Sequence, residues 1–84
     1  GVIMVPFFFV LVYKIKNKEG LYSSGQSKIR WIEDGKSWTS LRNLRMHLKY
    51  LENIISRDSE DYPYHGCSIV RFKIEEDEVL EVIK

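Results

Sequence analysis

The chain has 84 residues, of which 44% are apolar and 13% aromatic, and this composition predicts one folded domain spanning residues 1–84. The length argues against two domains, and the apolar content argues against intrinsic disorder. The single cysteine, Cys67, excludes an internal disulfide framework and favours a reducing, intracellular compartment.

The net charge of +1 conceals a strong asymmetry along the chain. Residues 14–49 carry nine Lys or Arg against three Asp or Glu, a balance of +6, whereas residues 50–84 carry four against nine, a balance of −5. If the fold keeps these two parts separate, the protein has one basic and one acidic surface. Alternatively, the strands interleave and the opposite charges form pairs.

The first apolar segment, Val2–Tyr13, is shorter than a membrane span of about 20 residues and contains Pro6, so we expect no membrane anchor. Its three consecutive phenylalanines and the aliphatic residues after them predict a strand that is buried on both faces. This strand should run from about Phe7 to Lys16, and a turn should follow at Asn17–Gly20.

A second strand is predicted at about Lys28–Ile32, where apolar and basic residues alternate. The Asp34-Gly35 dipeptide indicates a turn, because glycine adopts positive φ without steric cost. A short extended segment, Lys36–Trp38, then leads to a helix that Thr39 or Ser40 can cap with its hydroxyl.

This helix is the clearest pattern in the chain and should end near Arg57, before a run of poor helix formers. Its apolar residues recur at spacings of three and four, which places them on one face. They are Leu41, Leu44, Leu48, Leu51 and Ile55. One face of a sheet would bury this stripe.

After the helix we expect a loop over Ser59–Gly66, a third strand over Ile69–Ile74 and an acidic turn at Glu75–Glu78. The segment Val79–Ile83 then forms either a fourth strand or a short helix. The predicted fold class is therefore α+β, with a small antiparallel or mixed sheet and one amphipathic helix packed across it, in the order ββαββ or ββαβα.

No residue pattern predicts catalysis, a cofactor or a metal ion. His47 and His65 invite comparison with a ribonuclease that uses two imidazoles, but the sequence more readily explains them as a packed helix residue and a turn residue. The two histidines and Cys67 lack the paired spacings of a zinc site. We therefore expect a binding protein and not an enzyme.

A second apolar line on the helix has no obvious place in the core. Met46, Tyr50 and Ile54 are four residues apart, so they lie on a different side of the helix from the leucine stripe. Either the loop around Tyr62–Tyr64 covers this line, or the line is a surface for a partner or for a homodimer.

A basic strip lies beside that line. Arg42, Arg45 and Lys49 share one face of the helix, and Lys28 and Arg30 on a neighbouring strand are candidates to extend it. With the nearby tryptophans, such a strip is typical of a site for RNA or DNA. The alternative is ordinary surface charge around core tryptophans.

Three stretches of the sequence carry a resemblance to a known group of proteins. The run YKIKNKEGLYSSG occupies residues 13–25 and is followed by Gly35-Lys36-Ser37-Trp38. The third stretch is the start of the helix, Leu41–Leu48, whose last two residues are His47 and Leu48. This pattern resembles small proteins encoded by tailed bacteriophages. The resemblance implies an accessory role in the cytoplasm of a host cell, where such proteins bind and neutralise a host defence or toxin component; it carries over no catalytic residues.

The residues and the resemblance together predict an inhibitor or modulator that binds a host protein stoichiometrically through Met46, Tyr50 and Ile54. The alternative is a small RNA- or DNA-binding module that uses the basic face of the helix. A homodimer is compatible with either function, since a domain of this size gains stability from association.

Overall fold

A computed structural model describes residues 9–84 as four strands and one helix. The elements in chain order are β1 Phe9–Lys16, β2 Tyr22–Ser23, β3 Trp31–Ile32, α1 Leu41–Ile54 and β4 Ser68–Glu75. The strands form one antiparallel sheet in the order β3-β2-β1-β4, and α1 packs against β1. The predicted α+β class is therefore confirmed, although the elements follow the order βββαβ.

The long pair of strands β1 and β4 is the frame of the sheet. The two strands pair along their full length, from Phe9 opposite Glu75 to Lys16 opposite Ser68. Aliphatic and aromatic residues make up six of the eight positions in β1 and four of the eight in β4, and such residues suit a pleated surface. The predicted bounds of these strands agree closely with the observed ones, except that the predicted first two residues of β1 lie outside the described residues.

The edge beyond β1 is built from two very short strands. The prediction of a strand over Lys28–Ile32 was largely wrong, because only Trp31–Ile32 pairs, and its partner Tyr22–Ser23 was not predicted as a strand. The predicted turn glycine Gly35 is confirmed, with φ at +67°. A side chain there would meet the Cβ of Tyr22, so glycine suits both the backbone conformation and the close approach.

The helix α1 begins after Ser40, whose Oγ accepts a hydrogen bond from the Asn43 amide at 3.4 Å. It ends at Ile54, three residues before the predicted end, because Ile55 adopts extended backbone angles and the chain then turns. Leu44 and Leu51 are fully buried. The leucine stripe therefore faces the core as predicted.

The core lies between α1, the end of β1 at Ile15 and the loop that follows the helix. Trp38 joins it by pairing its backbone with Tyr13 of β1 through two hydrogen bonds of 2.8 Å. The buried members of the cluster are Ile15, Trp38, Leu44, Leu51, Tyr62 and Tyr64.

Two predictions fail at the opposite end of the sheet. The strand β1 is not buried on both faces, since Phe9 and Val10 are about half exposed at the end of the strand away from the core. Residues 76–84 form no regular secondary structure, so the strand or helix predicted at Val79–Ile83 is absent. Within residues 9–84, no helix has both the length and the apolar character needed to cross a membrane.

Candidate binding face of the helix

The second apolar line of α1 lies in the open. Met46, Tyr50 and Ile54 are each more than half exposed, at 59%, 53% and 58%. The loop predicted as a possible cover does not reach them, because the rings of Tyr62 and Tyr64 turn into the core instead. The helix thus presents three apolar side chains in a row that the described residues leave uncovered.

The basic strip on α1 is also free of internal pairing. Arg42, Arg45 and Lys49 are exposed, and none forms an ion pair with a described residue. The ion pairs found in residues 9–84 are Arg57–Glu52 at 3.7 Å and Lys73–Glu75 at 2.8 Å. Both join residues of the acidic part of the chain, so these pairs do not neutralise the charge asymmetry.

The other cations considered for this strip lie outside α1. Lys28 and Arg30 are exposed in the segment that precedes β3, an edge strand of the sheet. Lys14 lies over the rings of Tyr22 and Phe72 and donates to the carbonyl of Asp34 at 2.6 Å. This lysine is therefore engaged within the fold.

The aromatic residues considered for base stacking are mostly packed. Trp38 is buried, with the ammonium of Lys36 over its ring at 5.2 Å. Trp31 is partly buried and meets Tyr64 edge-on, with ring centroids 5.8 Å apart. These rings hold the core together, and they do not form an open platform beside the basic strip.

A shallow groove borders the start of the apolar line. Its volume is about 440 Å³, and Met46 lies at one side of it. The other residues that line the groove are Lys36, Ser37, Trp38, Thr39, Asn43 and His47. The groove therefore joins the first turns of α1 to the extended segment before the helix, which widens the surface that a partner would meet.

A hydrogen-bonded chain behind this groove fixes His47. The Tyr64 hydroxyl lies 2.6 Å from Nε2 of His47 and 2.7 Å from Oγ of Ser23. Ser23 is fully buried, and its Oγ already accepts from the Gly25 amide at 3.0 Å. Its own proton therefore needs an acceptor, and Tyr64 is the one in reach. Tyr64 in turn donates to His47, which makes Nε2 an acceptor and places the ring proton on Nδ1.

The protonation states agree with this direction of hydrogen bonding. Burial, and secondarily the charge of Lys36, lowers the pKa of His47, so the neutral ring that can accept from Tyr64 is favoured. Burial raises the pKa of Tyr64 to about 12, which keeps its donor proton in place. His47 is thus held as a neutral, oriented side chain at the base of the groove.

The histidines do not come together. His47 lines the groove beside Met46, whereas His65 lines two other cavities and donates from Nε2 to the carbonyl of Ser59 at 2.9 Å. Burial raises the pKa of the Cys67 thiol, which disfavours its thiolate. Among residues 9–84, no three His, Cys, Asp or Glu side chains are grouped as metal ligands.

The sequence predicted the residues of the exposed face, but it did not predict the hydrogen bonds that join Ser23, Tyr64 and His47 behind the groove. Ser23 gave no signal, because it stands in a segment whose serines and glycines indicate only a turn. Tyr64 lies in the loop predicted over Ser59–Gly66, and its contact with Ser23 spans 41 residues of sequence, which local patterns do not reveal. No protein family, curated protein or solved structure matches the chain.

Proposed function

We propose that this chain is a non-enzymatic binding protein that inhibits or modulates a host protein in the cytoplasm of a bacterial host. The contact surface is the line of Met46, Tyr50 and Ile54, with the groove beside Met46 at its start. The observation that carries the proposal is the exposure of these three side chains on a helix whose opposite side is already fully packed.

The fold does not need this line. The core is formed by Leu44 and Leu51 on the other side of α1, so polar residues would serve the folded chain equally well at the three outer positions. Apolar and aromatic side chains of this kind are enriched in the centres of protein interfaces. Their cost in water is offset when a partner covers them.

The choice of partner class rests on the phage-type pattern of residues 13–48. A small phage protein that binds without turnover is suited to blocking a host defence or toxin component, because one copy per target suffices at high expression. The exposed strip of Arg42, Arg45 and Lys49 beside the apolar line favours a partner with an acidic rim around an apolar centre.

The test is capture of a host protein from nuclease-treated bacterial lysate, followed by titration of the purified target. We expect Met46→Gln/Tyr50→Gln to lose the target, with an affinity at least about 100-fold lower, since interface anchors often contribute 2 kcal/mol or more each. Glutamine preserves helix propensity. The matched control is Ile32→Gln/Ile74→Gln, which changes two exposed apolar side chains elsewhere and should retain the target. Equal capture by both variants would contradict the proposed face.

A second candidate function is binding of RNA or DNA through Arg42, Arg45 and Lys49, with Lys28 and Arg30 as outlying contacts. The observation that favours it is the absence of ion pairs from the three helix cations among the described residues. Binding through phosphates would weaken steeply as salt rises and would be lost in Arg42→Ala/Arg45→Ala/Lys49→Ala. An interface centred on Met46 and Tyr50 would tolerate salt.

A further inference from the structure

The last nine residues of the chain combine apolar side chains with a charge opposite to that of the exposed face of α1. Residues 76–84 contain four carboxylates, one lysine and four large apolar side chains. The apolar ones are Val79, Leu80, Val82 and Ile83, which are 67%, 85%, 70% and 94% exposed. We call this stretch the acidic segment. Four of its nine residues are large and apolar, and the residues that the structure describes leave them uncovered.

The surface of α1 has the complementary chemistry. Its apolar line begins at Met46, and Arg42 and Lys49 are the neighbours of Met46 one turn before and one turn after it. A peptide that carries both kinds of side chain can therefore bury its apolar side chains against the line of Met46, Tyr50 and Ile54 while its carboxylates contact the cations. The acidic segment has this combination.

The position of the acidic segment argues against docking on the helix of its own chain. The segment leaves β4 at Glu75, opposite Phe9, whereas α1 packs near the other end of β1, at Ile15. These two ends of β1 are about 20 Å apart at 3.3 Å per residue. Returning along the sheet would consume about six of the nine residues, which leaves too few to cover the apolar line.

We infer that the acidic segment of one copy docks on the exposed face of α1 in a second copy. Because every copy carries both elements, two copies can exchange segments around a two-fold axis and form both contacts in one closed dimer. The exchange covers the exposed apolar residues of the segment and of the helix together. It also pairs the basic and acidic parts of the chain, which no ion pair joins within the described residues of one copy.

The test is a charge exchange between two variants of the full chain. Arg42→Glu/Lys49→Glu makes both the helix face and the segment acidic, and Glu78→Lys/Glu81→Lys makes both basic. Sedimentation velocity over a range of concentrations should show a dimer for the parent chain. Each variant alone should dissociate at least about tenfold more readily, since like charges now face each other. An equimolar mixture should again form dimers, because each helix face then meets a segment of opposite charge.

The control is Lys28→Glu/Arg30→Glu, which makes the same change of charge at exposed cations away from α1 and should leave the dimer intact. Circular dichroism checks that all variants remain folded. A parent chain that stays monomeric overturns the inference. So does a dimer that persists in both variants alone, because this result would place the contact elsewhere, for example at the open edge of β4. The dimer covers the face proposed for the host protein, so the two contacts exclude each other and a host protein would have to displace the segment. Because the sedimentation test contains only this chain, its failure leaves the capture of a host protein to be tested separately.

Discussion

The two sides of α1 differ in how completely the fold uses them. On the inner side Leu44 and Leu51 are buried, and Ser40 caps the first turn. On the outer side Met46 and Tyr50 are more than half exposed, beside cations that form no ion pair with any residue of 9–84. Because the inner side alone joins the helix to the sheet, stability and recognition are carried by different residues of the same element.

The strongest test of this separation is removal of a packed leucine. Leu44→Ala should lower the free energy of unfolding by about 2–5 kcal/mol, because Leu44 is fully buried and its loss leaves a cavity in the core. In a domain of this size that is a large share of the total stability. Urea denaturation followed by circular dichroism measures the change. Arg45→Ala, one residue away on the exposed side, should change it by less than about 0.5 kcal/mol.

A smaller loss is expected when the hydrogen-bonded chain is cut. Tyr64→Phe removes the hydroxyl that accepts from Ser23, whose buried donor is then unsatisfied, and the free energy of unfolding should fall by about 1–3 kcal/mol. The matched control is Tyr50→Phe, since the side chain of Tyr50 is more than half exposed and its hydroxyl bonds to no described residue. Equal effects of the two substitutions would show that the chain behind His47 is not a source of stability.

The sequence predicts the elements that depend on local spacing. The leucine stripe, the Ser40 cap and the glycine at the turn before Lys36 follow from residues within a few positions of one another. The strands β2 and β3 do not, because each pairs over only two residues and is held by non-local bonds such as that from the Lys36 amide to the carbonyl of Ser23. The alternation of apolar and basic side chains predicts a strand over Lys28–Ile32, whereas backbone pairing extends only over Trp31–Ile32.

The sequence predicts which residues form the candidate face, but it does not predict that they are exposed. Spacing alone places Met46, Tyr50 and Ile54 on one line. Whether the loop at Tyr62–Tyr64 covers that line depends on where its rings go, and the bonds of Tyr64 to Ser23 and His47 draw them to the core. Similarly, apolar residues at 79–83 indicate a strand, but a strand also needs a free edge beside it, and the segment pairs with none.

The pH dependence of stability tests the neutral state assigned to His47. The pKa of His47 in the folded chain lies below its ordinary value of 6.5, so the unfolded chain binds more protons in this range. The contribution of neutral His47 to the free energy of unfolding is therefore complete above about pH 6.5. It is lost as the pH falls through the lowered pKa of the folded chain. Lys36 and the Tyr64 hydroxyl are the titratable groups facing the ring, and both favour its neutral form.

The measurement is the urea midpoint at about pH 7.5 and about pH 5.5 in the parent chain and in His47→Gln. Glutamine retains an oxygen that can accept from Tyr64 but does not titrate here. We expect the parent chain to lose more stability than His47→Gln on acidification. Because the ring of His47 is only partly buried, this effect should be smaller than that of Tyr64→Phe. An identical pH response in both proteins would show that folding does not lower the pKa of His47.

The smallest effect should come from the outer side of the helix itself. Met46→Gln and Tyr50→Gln should each change the free energy of unfolding of the isolated chain by less than about 0.5 kcal/mol, because both side chains already lie more than half in water. Urea denaturation at a concentration low enough to keep the chain monomeric provides the measurement. A loss comparable to that of Leu44→Ala would show that another part of the chain covers this line, and the division of α1 into a structural and a recognition side would then be wrong.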